Sequence, residues 1–159
     1  MPPTTLGDDP ILLTTASADD LDRWRNNLPG FHVGSIDGRR SRTEAGFFDE
    51  VSHAFSMPDH FGSNWDALFD TMTDLSWLDA DGYVLLVEHA ENLLADEARD
   101  RVEVMVSVLT EVAEEWEAGA GDGDESRMLV FRTVLHTDDD GGQTVVERVG
   151  SADLGDLTI

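Results

Sequence analysis

The sequence predicts an α/β domain with a small, mostly parallel sheet of three strands packed by helices, and three observations carry that prediction. Between residues 31 and 135 the elements follow as strand, helix, helix, strand, helix, strand, the alternation that builds parallel sheets. Tyr83-Val-Leu-Leu-Val87 is apolar at every position, as a strand buried on both faces must be. Val102, Met105, Val106, Leu109, Val112, Ala113 and Trp116 recur at spacings of three and four, which turns one stripe of a long helix toward a core. A chain of 159 residues with 40% hydrophobic content can bury such a core without metal or disulfide help. One domain over residues 1–159 is expected, with its core at about 31–135 and extensions at 1–30 and 136–159.

The elements follow in chain order. Ile11-Leu12-Leu13 is a short apolar run, and Ser17-Ala-Asp-Asp20 is a capping pattern opening a helix that carries Leu21, Trp24 and Leu28 until Pro29-Gly30 stops it. This strand-helix pair reads as an added edge element or an arm. Phe31 to Ile36 alternates as a strand does, and Asp37-Gly38 turns the chain. Apolar residues from Thr43 to Phe55 fall at helical spacing. Asp79-Ala-Asp-Gly82 is a turn ahead of the apolar strand, and Asp96 or Glu97 is the expected start of the long helix, which runs to about Ala118. Gly119 to Glu125 is a connection, Met128 to Leu135 a further strand, Asp138-Asp-Asp-Gly-Gly142 a hairpin tip, and Thr144 to Val149 an antiparallel return strand. The last ten residues are expected to be poorly ordered.

Composition sorts partners before any site is chosen. The formal net charge is −24, from 34 acidic residues against 10 basic ones, and every basic residue is arginine. Such a chain repels nucleic acid and anionic lipid and attracts cationic proteins, at a rate that falls as salt rises. The absence of cysteine excludes thiol catalysis, disulfides and cysteine-built zinc sites. The opening residues lack a basic region followed by an apolar run, and no stretch approaches the length needed to span a bilayer. A soluble, cytoplasmic protein that contacts neither membrane nor nucleic acid is expected.

Residues 57–78 concentrate the functional signal. Pro58 and Gly62 punctuate a loop, Ser63 is the expected N-cap, and a helix should begin near Asn64. Trp65, Leu68, Phe69, Met72 and Leu75 share one arc of that helix, while Asp66, Asp70, Thr73 and Asp74 share the adjoining one. Asp66 and Asp70 stand one turn apart, where like charges repel, so stability alone does not ask for them. With Asp59 and Asp74 they form an anionic ridge on a packed helix, preorganised for a cationic cleft. His60 and Phe61 add flat rings, and Gly62 leaves room for close backbone approach. The structural alternative is that Asp66 caps, Asp70 is solvated and both rings belong to the core.

Other constellations are weaker. Asp122, Asp124 and Ser126 match the opening of an EF-hand loop, but Arg127 replaces its glycine and Thr133 its bidentate glutamate. His53, His60 and His89 lack metal-ligand spacing, so neither metal nor cofactor is expected. Arg39, Arg40 and Arg42 read as partners for nearby carboxylates rather than as a phosphate patch. Catalysis by Asp66 and Asp70 as an acid and base pair would require a concave pocket around them.

The motif Met57-Pro-Asp-His-Phe-Gly-Ser-Asn-Trp-Asp-Ala-Leu-Phe-Asp-Thr-Met-Thr73 resembles the signature of the barstar-like family, intracellular protein inhibitors of bacterial ribonucleases. Its Pro, Gly, Asn, Asp-Ala-Leu and second Asp all fall in register, and the order of elements from about Phe31 to Leu135 is similar to the family's. The resemblance implies a non-enzymatic, monomeric inhibitor that binds a small basic ribonuclease one to one. Its helix and preceding loop would plug the active site, with Asp66 and Asp70 taking the places of RNA phosphates. It also implies partner contacts by His60, Gly62, Asn64, Phe69 and Thr73, and by one acid of the long helix, chosen as Glu114 from among Glu111, Glu114 and Glu115. His60 stands where the family's type member has tyrosine, Phe69 where it has tryptophan, Trp65 where it has leucine and Ser63 where it has glutamate. These departures leave the charge logic intact and bear on which target fits. A module that sequesters or regulates another basic protein, without nuclease inhibition, is the alternative.

Overall fold

The computed structural model describes residues 6, 9–58, 61–119, 129–150 and 154–159. The chain runs β1 (Ile11–Thr14), α1 (Ala18–Asn26), β2 (Phe31–Asp37), α2 (Glu44–Ala54), α3 (Trp65–Met72), β3 (Gly82–Glu88), α4 (Arg99–Glu117), β4 (Val130–His136), α5 (Asp139–Val149) and β5 (Gly155–Asp156). The strands form one sheet in the order β2-β3-β4-β1-β5, and every neighbouring pair is parallel.

Alternation along the strands divides the interior into two layers. Tyr83, Leu85 and Val87 of β3 enter the larger core with residues of α2, α3, α4 and α5. Val84 and Leu86 point the other way, into a smaller core closed by Leu21 and Trp24 of α1. Both faces of β3 are therefore dry, which is why its sequence does not alternate. The predicted stripe of α4 is the buried one: Val102, Met105, Val106, Leu109, Val112, Ala113 and Trp116. The helix starts at Arg99, two to three residues later than its acidic opening suggested, and no side chain caps it.

Two departures from expectation lie outside the stretch between β2 and β4. The first concerns β1, which is no edge strand: it sits between β4 and β5 and pairs with both. Ile11 and Leu12 are each 1% exposed, so consecutive residues are buried on opposite faces. Short as it is, the strand completes the sheet rather than decorating it.

The second departure is that residues 139–149 form helix α5, not a hairpin tip and antiparallel strand. Asp138 is its N-cap, its carboxylate accepting from the backbone N–H of Gly141 at 2.8 Å. Gly141 is packed so closely that a Cβ there would lie 2.0 Å from Thr137 Oγ1. The β-branched run Thr144-Val145-Val146 favours a strand locally, but Val145 is 2% exposed in the larger core. Tertiary burial overrides propensity, and β4 and β5, being parallel, need a crossover between them rather than a tight turn. The last residues are also held: Gly155 and Asp156 pair with Leu12 and Leu13, and Leu157 is buried in the smaller core.

Candidate functional site

Helix α3 and the loop before it stand on the α2 and α4 side of the sheet. Asn64, not Ser63, is the N-cap, accepting from the Ala67 N–H through Oδ1 at 2.8 Å while Nδ2 donates to the Gly62 carbonyl at 3.2 Å. Ser63 instead takes the left-handed conformation (φ 51°) that turns the loop into the helix. Leu75, just past the other end, is left-handed too (φ 46°). Each such non-glycine residue costs about 1 kcal/mol or more, and the two flank a two-turn helix.

One face of α3 is locked in place. Leu68 and Met72 are 0% exposed, and so is Leu75 beyond the helix end. Trp116 of α4 donates its indole N–H to the Met72 carbonyl at 2.7 Å, which satisfies an orphan carbonyl of the last turn. Thr73 caps the same end, its hydroxyl donating to the Phe69 carbonyl at 2.8 Å. At the N-terminal end Trp65 packs its ring on Phe48, with centroids 4.8 Å apart, and on Phe47 at 5.6 Å. Its indole N–H donates to Glu44 of α2, whose carboxylate also accepts two N–H bonds from Arg101 of α4 at 3.2 and 3.0 Å. Glu44 thereby ties three helices together. The Arg101 guanidinium holds its carboxyl below the ordinary range, with the Trp65 indole N–H acting the same way and burial opposing both.

Against this anchored face, Asp66 and Asp70 are exposed one turn apart, with Asp74 exposed beyond the helix. Neither Asp66 nor Asp70 lines the cleft formed by α2 with residues 57, 58, 61 and 63–65 or the groove between α4 and α5. The ridge also lies in a segment without arginine or lysine of its own: residues 43–98 contain neither, against 13 acidic residues. Among the described residues, arginines are instead engaged by carboxylates in the pairs Arg23–Asp20, Arg25–Asp22, Arg39–Asp37, Arg42–Asp96, Arg101–Glu44 and Arg132–Glu117. Of the arginine cluster at 39–42, Arg39 and Arg42 thus pair with carboxylates as predicted.

The remaining residues singled out in the sequence separate into groups. Gly62, Asn64 and Thr73 flank the ridge, but Asn64 and Thr73 already spend hydrogen bonds on capping. Phe69 is half-buried and packs against the larger core. His60, with Asp59, lies outside the described residues, as do Asp122, Asp124 and Ser126. Glu114 lies exposed on α4. It lines a shallow groove with Val149 of α5, and at about 100° per residue it stands about 140° round α4 from Arg101, which marks the side facing Trp65. Glu115, about 40° from Arg101 by the same geometry, is exposed on that side. Sequence reading missed the Glu44–Trp65–Arg101 tie, whose members are up to 57 positions apart and share no local pattern.

A second place to look for a ligand is set by topology. The crossovers from β1 and β4 leave toward opposite faces, so the ends of these adjacent strands form the switch point where open α/β sheets bind ligands. Here His136 Nε2 donates to the Ala16 carbonyl at 2.7 Å and the Thr137 N–H to the Thr14 carbonyl at 3.2 Å, drawing the strand ends together. The connection Thr14-Thr15-Ala16-Ser17 has no glycine to cradle a phosphate, and both flanking helices begin with aspartates.

The crystal structure of Cdc6p from Pyrobaculum aerophilum is similar in fold, with a TM-score of 0.52 at 15% identity over 93% of this chain and 38% of that one. The likeness is one of α/β architecture alone, and this chain spans well under half of that protein's length. No curated protein sequence matches the chain. The profile of the family described as Barstar (barnase inhibitor) matches residues 31–136, from the first residue of β2 to the last of β4, with the whole α3 ridge inside. The chain therefore belongs to the Barstar (barnase inhibitor) family.

Proposed function

We propose that this protein is a one-to-one inhibitor of a small basic ribonuclease, monomeric when free, and that α3 with its preceding loop occupies the nuclease active site. The observation that carries this reading is the pairing of a locked face with an uncompensated one on a single short helix. Leu68 and Met72 are fully buried while Asp66 and Asp70 project without a cationic neighbour on their own element. Carboxylates held in that way meet a cationic RNA cleft with little ordering cost, and they mimic successive phosphates. Gly62 gives the partner access to the backbone, Phe69 supplies the apolar flank, and Asn64 and Thr73 hold the ends of the helix. Glu115 rather than Glu114 provides the additional acid from α4, because it stands on the side facing α3. The inhibitor does no chemistry itself; it excludes RNA.

The test is titration of the full chain against small secreted ribonucleases with residual RNA cleavage as the readout. Stoichiometric loss of cleavage is expected, and Asp70→Ala should raise the inhibitor concentration needed by at least about thirtyfold, the equivalent of a hot spot of about 2 kcal/mol. If no basic ribonuclease is inhibited while a different basic protein is bound through the same aspartates, the chain is a sequestering module on the same fold.

A further inference from the structure

Beside the ridge, α2 and residues 57, 58, 61 and 63–65 line an open cleft of about 710 Å3. Its size falls in the range of small-ligand pockets, about 300–1,000 Å3. Phe48, Phe61 and Trp65 form its aromatic wall, with the Phe48 ring 4.8 Å from Trp65 and 6.3 Å from Phe61 in edge-on contacts. Glu44 and Asp49 bring carboxylates to it. The Glu44 charge is spent on Arg101, which also lines the cleft. The Asp49 side chain is 73% exposed, with the His53 ring 3.9 Å away. The described lining residues thus carry one net negative charge next to aromatic surface. No arginine or lysine within residues 43–98 can answer it.

We infer that this cleft takes an arginine side chain from the partner, as an anchor separate from the ridge. The inference rests on the reading of α3 as an interface for a basic ribonuclease, and it deepens that reading by naming a second contact. Arginine suits the cleft better than lysine: its planar guanidinium stacks on aromatic surface and pairs with a carboxylate in the same pose. Continuity favours one partner for both features, since Asn64 lines the cleft and caps the helix that bears Asp66. The ridge then reads the catalytic cleft of the nuclease, while the aromatic cleft reads an arginine outside it. Such a contact discriminates among nucleases that share an active site.

The test needs no ribonuclease. The isotope-labelled full chain is titrated with N-acetyl-arginine amide and, separately, with its uncharged citrulline counterpart, up to about 50 mM because a single side-chain contact binds weakly. The Trp65 indole N–H resonance and the Asn64 amide are the reporters. Saturable shifts are expected with the arginine compound only. Asp49→Asn, a substitution at an exposed position, should weaken them about threefold, the scale of an exposed charge pair, and Asp70→Ala should leave them unchanged. The proposal is overturned if no saturable shift occurs, if citrulline shifts the reporters equally, or if Asp70→Ala abolishes the response. Arginine binding without ribonuclease inhibition would sink the function proposed above and leave the cleft standing; inhibition without arginine binding would do the reverse.

Discussion

Replacing Asp70 by alanine should make the free protein more stable while it weakens the complex. Asp70 lies in the last turn of α3, is exposed, and has no hydrogen bond or ion pair to its carboxylate among the described residues. Three small terms act against it. Asp66 stands one turn below, a like-charge pair costing about 0.2–0.5 kcal/mol; a carboxylate near a helix C-terminus opposes the macrodipole by about 0.3 kcal/mol or more; and alanine exceeds aspartate in helix propensity by roughly 0.5 kcal/mol. The sum is a gain of about 1 kcal/mol, which for a chain of this size raises Tm by about 2–4 °C. Binding moves the other way, with a loss of about 2 kcal/mol or more expected of a charged hot spot. Urea denaturation of the free chain and calorimetry against the inhibited ribonuclease give the two numbers. If the free chain lost stability, the carboxylate would have structural work that the fold does not display, and the case for a ridge maintained for binding would fail.

Three further substitutions test the frame that holds the ridge. Leu68→Ala, at a position with no solvent exposure, should cost about 2–5 kcal/mol in urea denaturation, and a loss below 1 kcal/mol would mean that α3 is not anchored as described. Gly141→Ala should destabilise by about 1–3 kcal/mol, because its Cβ meets Thr137 Oγ1 at 2.0 Å; a residue at a hairpin tip would tolerate it. Glu44→Gln addresses pH. The folded carboxyl lies below its ordinary value of 4.5, so its stabilisation is complete above about pH 4.5 and drains away as pH falls through the lower folded value. The variant should therefore cost about 1 kcal/mol or less at neutral pH, given partly exposed partners, and flatten the acid limb of stability below pH 4.5. An unchanged acid limb would rule out Glu44 as its source.

How much of this could be read from sequence depends on the distance over which each signal is written. The faces of α3 and α4 are periodic, and periodicity is local, so Leu68, Met72 and the seven buried residues of α4 were identifiable before any coordinates. The continuous apolar run of β3 likewise announced a strand with two dry faces. The segment at 139–149 failed for the opposite reason. Its glycines and β-branched residues are local signals for a hairpin, and what overrules them is the contact of Gly141 with Thr137 and the burial of Val145. The tie from Glu44 to Trp65 and Arg101 has no local signature at all. The paired aspartates were visible as a pattern; that they stand in a stretch without arginine was visible too, but its meaning needed the pairing of arginines elsewhere in the fold.

That pairing separates two roles of charge that the total of −24 conflates. Long-range attraction of a basic partner depends on the summed field and is screened by salt, whereas residence depends on the few carboxylates buried in the complex. Glu103 and Glu114 make a clean comparison, since both line the groove beside Val149, on the side of α4 away from Arg101. The double variant Glu103→Gln/Glu114→Gln should slow association by about twofold or less at low salt, in keeping with its small share of the field. Its dissociation rate should stay at the wild-type value. Asp70→Ala should chiefly raise the dissociation rate, as truncation of a desolvated charge does. Stopped-flow association at low and physiological salt, together with displacement kinetics, reads both. A tenfold faster dissociation in the glutamine variant would place Glu103 or Glu114 inside the interface after all, and the partner would then have to reach round α4 toward α5.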